Sequence, residues 1–228
     1  MKLKNPFKKF NRFEWILWIS SLAALIITFL IGGENNILII LATLIGVTGL
    51  VFIAKGDFWG QICTIAFSIL YGIVSISFAY YGEFITYVFM TLPMAVIALI
   101  SWARNPYEHA DEVKIGIMTR KKYVILIGGT ALATFVLYFV LKAFHTNNML
   151  FSTISIATSF LAAALTAFRN PYYALAYAAN DVVLIVLWTL ATINDPEYLP
   201  MIISFCIFLI QDIYGFVSWQ RMKRRQHG

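Results

Sequence analysis

The sequence predicts an all-α integral membrane protein with eight transmembrane helices: one extra N-terminal helix plus two parallel three-helix repeats joined by a linker helix. Three observations carry this prediction. Hydrophobic residues make up 61% of the 228 residues and charged residues only 12%, whereas soluble domains have about 45–50% and roughly 25%. The apolar residues fall into eight runs long enough to span a bilayer. One short motif also ends two of these runs.

Each predicted span is a mostly apolar run close to the length of about 20 residues that a bilayer requires. The first follows a basic segment but lacks the small-residue cleavage pattern of a signal peptide, so we expect a retained helix. The predicted spans are 15–31, 36–54, 59–80, 84–102, 122–143, 149–168, 172–193 and 199–219. In order, the chain divides into a basic N-terminus with the extra helix (1–35), the first repeat (36–104), a cytoplasmic loop with the linker helix (105–148), the second repeat (149–221) and a basic tail (222–228).

Basic residues separate to one side of the eight spans. Sixteen of the 17 Lys and Arg residues fall on the side of the N-terminus, and Lys142 alone falls on the other. Because Lys and Arg are retained on the cytoplasmic side, both termini are predicted to be cytoplasmic. The net charge of +6 is therefore a topology signal, and nucleic-acid binding is not expected.

The repeat is visible where "SWAR" at 101–104 matches "SWQR" at 218–221, an offset of 117 residues. Lys55 falls near Arg169 at an offset of 114. Three spans reverse the direction of the chain across the membrane, so the single span between the units makes them parallel. We expect the Trp of each motif to anchor its helix at the membrane interface, with the Arg snorkelling beside it.

Two acidic residues fall well inside predicted spans, Asp181 in the seventh and Asp212 in the eighth. A carboxylate at a helix centre costs about 2.5–3.5 kcal/mol on insertion scales, so such residues usually face a cavity or a partner. Each follows a carboxamide, Asn180 or Gln211, and no Lys or Arg lies at their depth. These residues predict a polar substrate cavity. The alternative is mutual hydrogen bonding that fixes the packing of adjacent helices.

Polar and aromatic residues also recur at helical spacing along the third, seventh and eighth spans. Aromatic rings stack on a flat ligand, and carboxamides and carboxylates accept the hydroxyl groups of a ribose, so these stripes suit a nucleoside-like ligand. The predicted substrate-binding residues are Gln61, Tyr71, Asn180, Asp181, Trp188, Gln211, Asp212 and Tyr214.

Enzymatic chemistry finds no support in the sequence. The three histidines lie in loops or in the tail, so neither a metal cluster nor a nucleophile-base pair is visible, and there is no Walker loop. Cys63 and Cys206 lie in apolar runs and are expected to be buried thiols. The chain is therefore predicted not to be an enzyme and to hold no catalytic, metal or cofactor site.

Over roughly residues 36–221 the chain resembles the PnuC family of bacterial vitamin transporters. The resemblance rests on "DFWGQ" and "YYGE" around the third span, on the two Trp-x-Arg exits and on "YALAYAAND" at the start of the seventh span. The first unit's "MAVIALISW" departs from the aromatic Asn-x-Tyr-Gly-Trp cluster of the family, whereas the second unit's "QDIYGFVSW" is close to it.

The resemblance implies a facilitative importer of nicotinamide riboside that works by rocking of the two three-helix units. It adds Tyr177 to the predicted substrate ligands. It further implies a homo-oligomer such as a trimer in the bacterial inner (plasma) membrane, with a cytosolic kinase that traps the cargo by phosphorylation. The alternatives are another cargo, such as thiamine, riboflavin or a deoxynucleoside, and a receptor or scaffold that does not transport.

Overall fold

A computed structural model describes residues 6–32, 37–77, 84–107, 112–146, 148–194 and 199–227. Within these ranges a short 3₁₀ turn, Pro6–Lys9, precedes eight long helices. The helices are α1 (Arg12–Gly32), α2 (Ile37–Ala54), α3 (Trp59–Ser77), α4 (Thr86–Ala103), α5 (Arg120–Ala143), α6 (Met149–Ala167), α7 (Tyr173–Asn194) and α8 (Leu199–His227).

All eight helices are long and apolar enough to cross a membrane, which confirms the predicted spans within the described part of the chain. Most helix ends lie within a few residues of their predicted positions. The eighth helix differs, because α8 continues beyond residue 219 through the basic tail to His227. The predicted end of the third span, residues 78–80, lies outside the described residues.

The helices form the two predicted repeats, α2–α4 and α6–α8, with α5 as the linker. The first helix of each repeat packs against the third helix of the other, so that α2 contacts α8 and α6 contacts α4. The extra helix α1 packs on α2 and α8. Helix α5 packs chiefly on α6, and only 11% of its apolar window is buried, so most of its surface lies on the outside of the bundle.

The first helices of the two repeats end in the same local structure. After α2 the amide of Gly56 donates to the carbonyl of Ile53 at 2.9 Å, and after α6 the amide of Arg169 donates to the carbonyl of Thr166 at 2.9 Å. Gly56 and Arg169 have positive φ values of 66° and 57°, the left-handed geometry that often ends a helix. The structure therefore aligns Arg169 with Gly56, whereas the sequence had placed Arg169 near Lys55, one residue earlier. The two repeats share the position of the turn and not the position of a basic residue.

Helix α4 begins with a π-helical turn, Thr86–Thr91, before regular α-helix from Leu92 to Ala103. Pro93 is the second residue after this turn and lacks the N–H that would donate to the carbonyl of Phe89. A π turn at this point widens the helix where its inner face meets the space between the repeats, and such turns often occur at functional sites.

Candidate substrate cavity

A cavity of about 510 Å³ lies between the two repeats. Its lining comes from α2, α3 and α4 of the first repeat and from α6, α7 and α8 of the second. On the side opposite the termini it reaches the α5–α6 connection, where Phe144, His145 and Asn148 line it. Small-molecule sites occupy about 300–1,000 Å³, so the cavity has room for a ligand of nucleoside size.

The first repeat contributes an aromatic wall, made of Phe67 and Tyr71 on α3 and Tyr87 on α4. The ring centroids of Phe67 and Tyr71 lie 5.4 Å apart with the rings 24° from parallel, and those of Tyr71 and Tyr87 lie 4.6 Å apart. Thr86 and Thr91 of the π turn line the same side. This wall offers π surfaces on which a flat ring or a cation can stack.

The second repeat contributes a polar wall with Asp181 on α7 and Asp212 on α8. Each residue is 5% exposed, and both side chains line the cavity. These two side chains, here called the carboxyl pair, supply the acidic groups of this wall. The described lining of the cavity contains no Lys or Arg that could pair with these two carboxyl groups.

Asn180 connects the polar wall to α6. Its Oδ1 lies 3.0 Å from the hydroxyl of Ser155 and 2.9 Å from the hydroxyl of Thr158. Because these hydroxyls occupy the carbonyl side of the amide, the NH₂ group is the part of Asn180 left to donate to a ligand. Ser152 and Ser159 line the cavity on the same helix.

A floor of aromatic side chains separates the cavity from the side that carries the termini. Tyr173 lines the cavity and packs edge-on against Trp219, with ring centroids 4.9 Å apart, and Trp219 lies 5.4 Å from Trp102. The indole N–H of Trp102 donates to the carbonyl of Thr166 at 2.9 Å, and that of Trp219 donates to the carbonyl of Ile53 at 2.8 Å. Each tryptophan therefore belongs to one repeat and forms a hydrogen bond with the backbone of the other repeat.

The expectation that these tryptophans anchor the helices at the membrane interface is wrong. Trp102 is 1% exposed and Trp219 is fully buried. The physical reason is that each indole N–H donates to a carbonyl in the last turn of a neighbouring helix, and that carbonyl accepts it in addition to the amide of the turn that follows. Burial between the repeats satisfies both groups.

Six of the predicted site residues line the cavity. They are Tyr71, Tyr177, Asn180, Asp181, Trp188 and Asp212. The structure thus brings residues from both repeats together at one cavity. That they bind substrate stays a prediction.

The other three predicted residues, Gln61, Gln211 and Tyr214, lie outside the described lining. Gln211 donates to the hydroxyl of Ser21 in α1 at 2.9 Å, and Tyr214 donates to the carboxylate of Glu14 at 2.7 Å. Gln61 is 2% exposed within α3. These positions favour roles in helix packing, and ligand binding by them is untested.

Residues that the sequence reasoning missed include Tyr87 and the serines of α6. Ser152, Ser155 and Ser159 follow one another at spacings of three and four, the pattern of one helical face, so this stripe was detectable in the sequence. Tyr87 carries no comparable signal, because aromatic residues make up 16% of the chain.

A second buried polar cluster ties α1 to both repeats. The amide of Asn11 donates to Glu14 Oε2 at 2.7 Å and the amide of Glu14 donates to Asn11 Oδ1 at 2.8 Å, which is a capping box. The ammonium of Lys55 donates to both carboxylate oxygens of Glu14, at 2.8 and 2.7 Å. Since Lys55 follows α2 and Tyr214 lies in α8, Glu14 binds one residue from each repeat.

The described part of the chain holds no group of three or more His, Cys, Asp or Glu residues that could bind a metal ion. Cys63 is partly buried, whereas Cys206 is exposed on the surface of the bundle and not buried as expected. The cavity between the repeats is therefore the candidate functional site.

Comparison with known proteins finds similarity to membrane transporters. A family model described as the nicotinamide mononucleotide transporter matches residues 36–221. A nicotinamide riboside transporter, PnuC of Neisseria mucosa, is 21% identical over 234 residues, which cover 99% of this chain and 87% of that protein. The crystal structure of the vitamin B3 transporter PnuC aligns with a TM-score of 0.79 at 21% identity, covering 95% of this chain and 94% of that one. At this identity the structural likeness establishes the fold.

Proposed function

Because the chain belongs to the nicotinamide mononucleotide transporter (PnuC) family, we propose that it imports nicotinamide riboside by facilitated diffusion. The observation that carries the proposal is the pairing of an aromatic wall with a carboxyl pair across one cavity. Nicotinamide riboside is a flat pyridinium cation joined to a ribose. Its ring suits the tyrosines, its charge suits the carboxyl pair, and its hydroxyl groups suit the serines and Asn180. The name of the Neisseria relative supports the same cargo.

Transport would follow from alternating access. The cavity lies between the two repeats, so rocking of one repeat against the other exposes it to each side of the membrane in turn. The sequence holds no motif that hydrolyses nucleotides, so net uptake depends on the cargo gradient. Phosphorylation of the cargo by a cytosolic kinase would maintain that gradient. We place the protein in the bacterial plasma membrane as a homo-oligomer with cytoplasmic termini.

Thiamine is the second candidate cargo, because its thiazolium ring is also a flat cation. Riboflavin and deoxynucleosides are neutral, so the carboxyl pair offers them hydrogen bonds but no attraction between opposite charges. A receptor or scaffold would bind ligand without moving it across the membrane. Binding of the four compounds to purified protein, followed by uptake into liposomes, separates these possibilities.

The decisive experiment compares nicotinamide riboside with its reduced form, which has nearly the same shape but no charge. Wild-type protein should bind the cation more tightly than the reduced compound. The double variant Asp181→Asn/Asp212→Asn removes the negative charge, and its affinity for the cation should fall about 10- to 100-fold, since charge-assisted hydrogen bonds contribute about 1.5–3 kcal/mol and 1.4 kcal/mol is tenfold. Affinity for the reduced form should change little.

Each single variant should lose less than the double variant, because one carboxyl group remains to attract the cation. Asp57→Asn is the matched control, since Asp57 is a buried carboxylate outside the cavity lining. Isothermal titration of the folded proteins measures the affinities. Equal affinity of the double variant and wild type for the cation would refute the assignment of the cavity.

A further inference from the structure

Residues 112–116, here called the gate segment, run beneath the tryptophan floor on the side of the termini. Val113 is 1% exposed and Ile115 is 5% exposed. Both pack in one hydrophobic cluster with Trp102, Trp219 and Met222. The gate segment therefore fills the space through which the cavity would have to open toward the termini.

The backbone of the gate segment is bonded to both repeats. The amide of Val113 donates to the carbonyl of Gly56, which follows α2, and the amide of Gly116 donates to the carbonyl of Arg169, which follows α6; each bond is 2.9 Å long. Gly56 and Arg169 are the equivalent left-handed residues of the two repeats. The segment thus joins corresponding points of the two units, and the repeats cannot separate on this side unless one of these attachments breaks.

The side chain of Gln226, near the end of α8, holds the middle of the gate segment. Its Oε1 accepts from the amide of Ile115 at 2.8 Å, while its Nε2 donates to the carbonyl of Val113 at 3.1 Å and to the carboxylate of Glu112 at 3.2 Å. The neighbouring Arg225 also donates to Glu112, at 2.6 Å. The side-chain amide of Gln226 therefore forms hydrogen bonds with both an N–H and a C=O of the gate segment, as an adjacent β-strand would.

We propose that the gate segment closes the exit of the cavity on the side of the termini, and that Gln226 is the latch that releases it. This inference rests on the proposed transport by alternating access. The bond of Val113 to Gly56 holds the segment to the first repeat, whereas Ile115 and Gly116 are bonded to the second repeat, so opening must break one of these two sets. On the first-repeat side the segment is also held at the exit of α4, where the amide of Lys114 donates to the carbonyl of Asn105 at 2.9 Å. The set on the second repeat consists of one backbone bond, from Gly116 to Arg169, and the bonds of one side chain, Gln226, at a helix end. It is the set that gives way, and the gate segment leaves with the first repeat.

The first test measures the exit without any cargo. In a background of Cys63→Ala and Cys206→Ala, the variant Ser159→Cys places one thiol on the cavity wall. A membrane-impermeant maleimide is added on the side of the termini. Gln226→Ala should raise the labelling rate about five- to tenfold, because the closed state loses hydrogen bonds worth about 1 kcal/mol or more.

Lys223→Ala is the matched control, since Lys223 is exposed on the same turn region of α8. Labelling of the control should equal that of the parent. A second variant, Gly116→Ala, weakens the attachment of the gate segment from the segment itself, because a Cβ at Gly116 would collide with the carbonyl oxygen of Phe168. Unchanged labelling in both Gln226→Ala and Gly116→Ala would overturn the proposal.

The second test locks the latch. Glu112→Cys with Gln226→Cys, bridged by a short reducible thiol crosslinker, should stop both uptake of labelled nicotinamide riboside into liposomes and labelling of Ser159→Cys, and reduction should restore them. Lys223→Cys with Gln226→Cys is bridged within α8 and cannot tie the gate segment down, so bridging should change neither uptake nor labelling relative to the same protein before bridging. Failure of every unbridged protein to carry nicotinamide riboside would refute the proposed cargo, and labelling would still decide the gate. Full activity of the locked protein would refute the gate.

Discussion

Replacement of Glu14 by Gln should show how strongly the extra helix is fixed to the two repeats. The Glu14 side chain is 3% exposed and that of its partner Lys55 is 18% exposed. Oε2 accepts from Asn11 N and from Lys55 Nζ, and Oε1 accepts from Lys55 Nζ and from the hydroxyl of Tyr214. Whichever way the Gln amide turns, its NH₂ group faces two donors.

The magnitude follows from those contacts. Charge-assisted hydrogen bonds contribute about 1.5–3 kcal/mol each, and breaking a buried pair costs about 3–5 kcal/mol. Water can reach the partly exposed ammonium of Lys55, so we expect a smaller loss of about 2–4 kcal/mol in the free energy of unfolding. At roughly 2–4 °C per kcal/mol for a chain of this size, the melting temperature in detergent should fall by about 5–15 °C.

Asp57→Asn is the matched control for this experiment. Asp57 pairs with Lys9 at 2.7 Å, but the Lys9 side chain is 27% exposed, and an Asn retains the oxygen that accepts from the amide of Trp59. An exposed pair is worth about 0–1 kcal/mol, so the melting temperature should fall by less than about 4 °C. Equal shifts in the two variants, or a shift below about 2 °C for Glu14→Gln, would refute the argument that Glu14 fixes α1.

Three further predictions concern topology, energetics and the floor. A reporter fused after Gly228 or inserted in the 104–122 loop should report cytoplasm, and one near Asn194 should report the outside; an outside signal from the C-terminus would end the topology argument. Liposomes that contain only this protein should equilibrate labelled nicotinamide riboside without accumulating it, and uphill uptake driven by an imposed pH gradient would instead make the carboxyl pair a coupling site. Trp102→Phe and Trp219→Phe should each lower the free energy of unfolding by about 1 kcal/mol, since each loses one hydrogen bond; thermal melting checks this, and an unchanged melting temperature in both would contradict the bonded floor.

The number and order of the spans could be predicted because the signals are local. Span length and the separation of Lys and Arg depend only on residues near each helix, and bilayer thickness is the same for every helix. The predicted carboxyl pair also lies at the cavity, because the cost of a buried charge leaves few other places for Asp181 and Asp212.

The partners of neighbouring polar residues could not be predicted in the same way. Gln211 and Asp212 are adjacent on α8, so their side chains point about 100° apart around the helix. Asp212 lines the cavity, whereas Gln211 binds Ser21 on the extra helix. The sequence indicates that one of two adjacent polar residues faces the cavity. The contact of the other, Gln211, depends on where α1 packs, and α1 belongs to neither repeat.

The reciprocal bonds of the two tryptophans have the form of a contact between identical subunits. In a twofold dimer every contact occurs twice, with the two partners exchanging roles. The bonds from Trp102 to Thr166 and from Trp219 to Ile53 are such a pair within one chain. A free-standing three-helix protein that dimerised about an axis normal to the membrane would form both bonds between separate chains. Joining two such copies through a helix like α5 would therefore require no new contact at this floor, only a connecting helix that keeps the second copy in the orientation of the first.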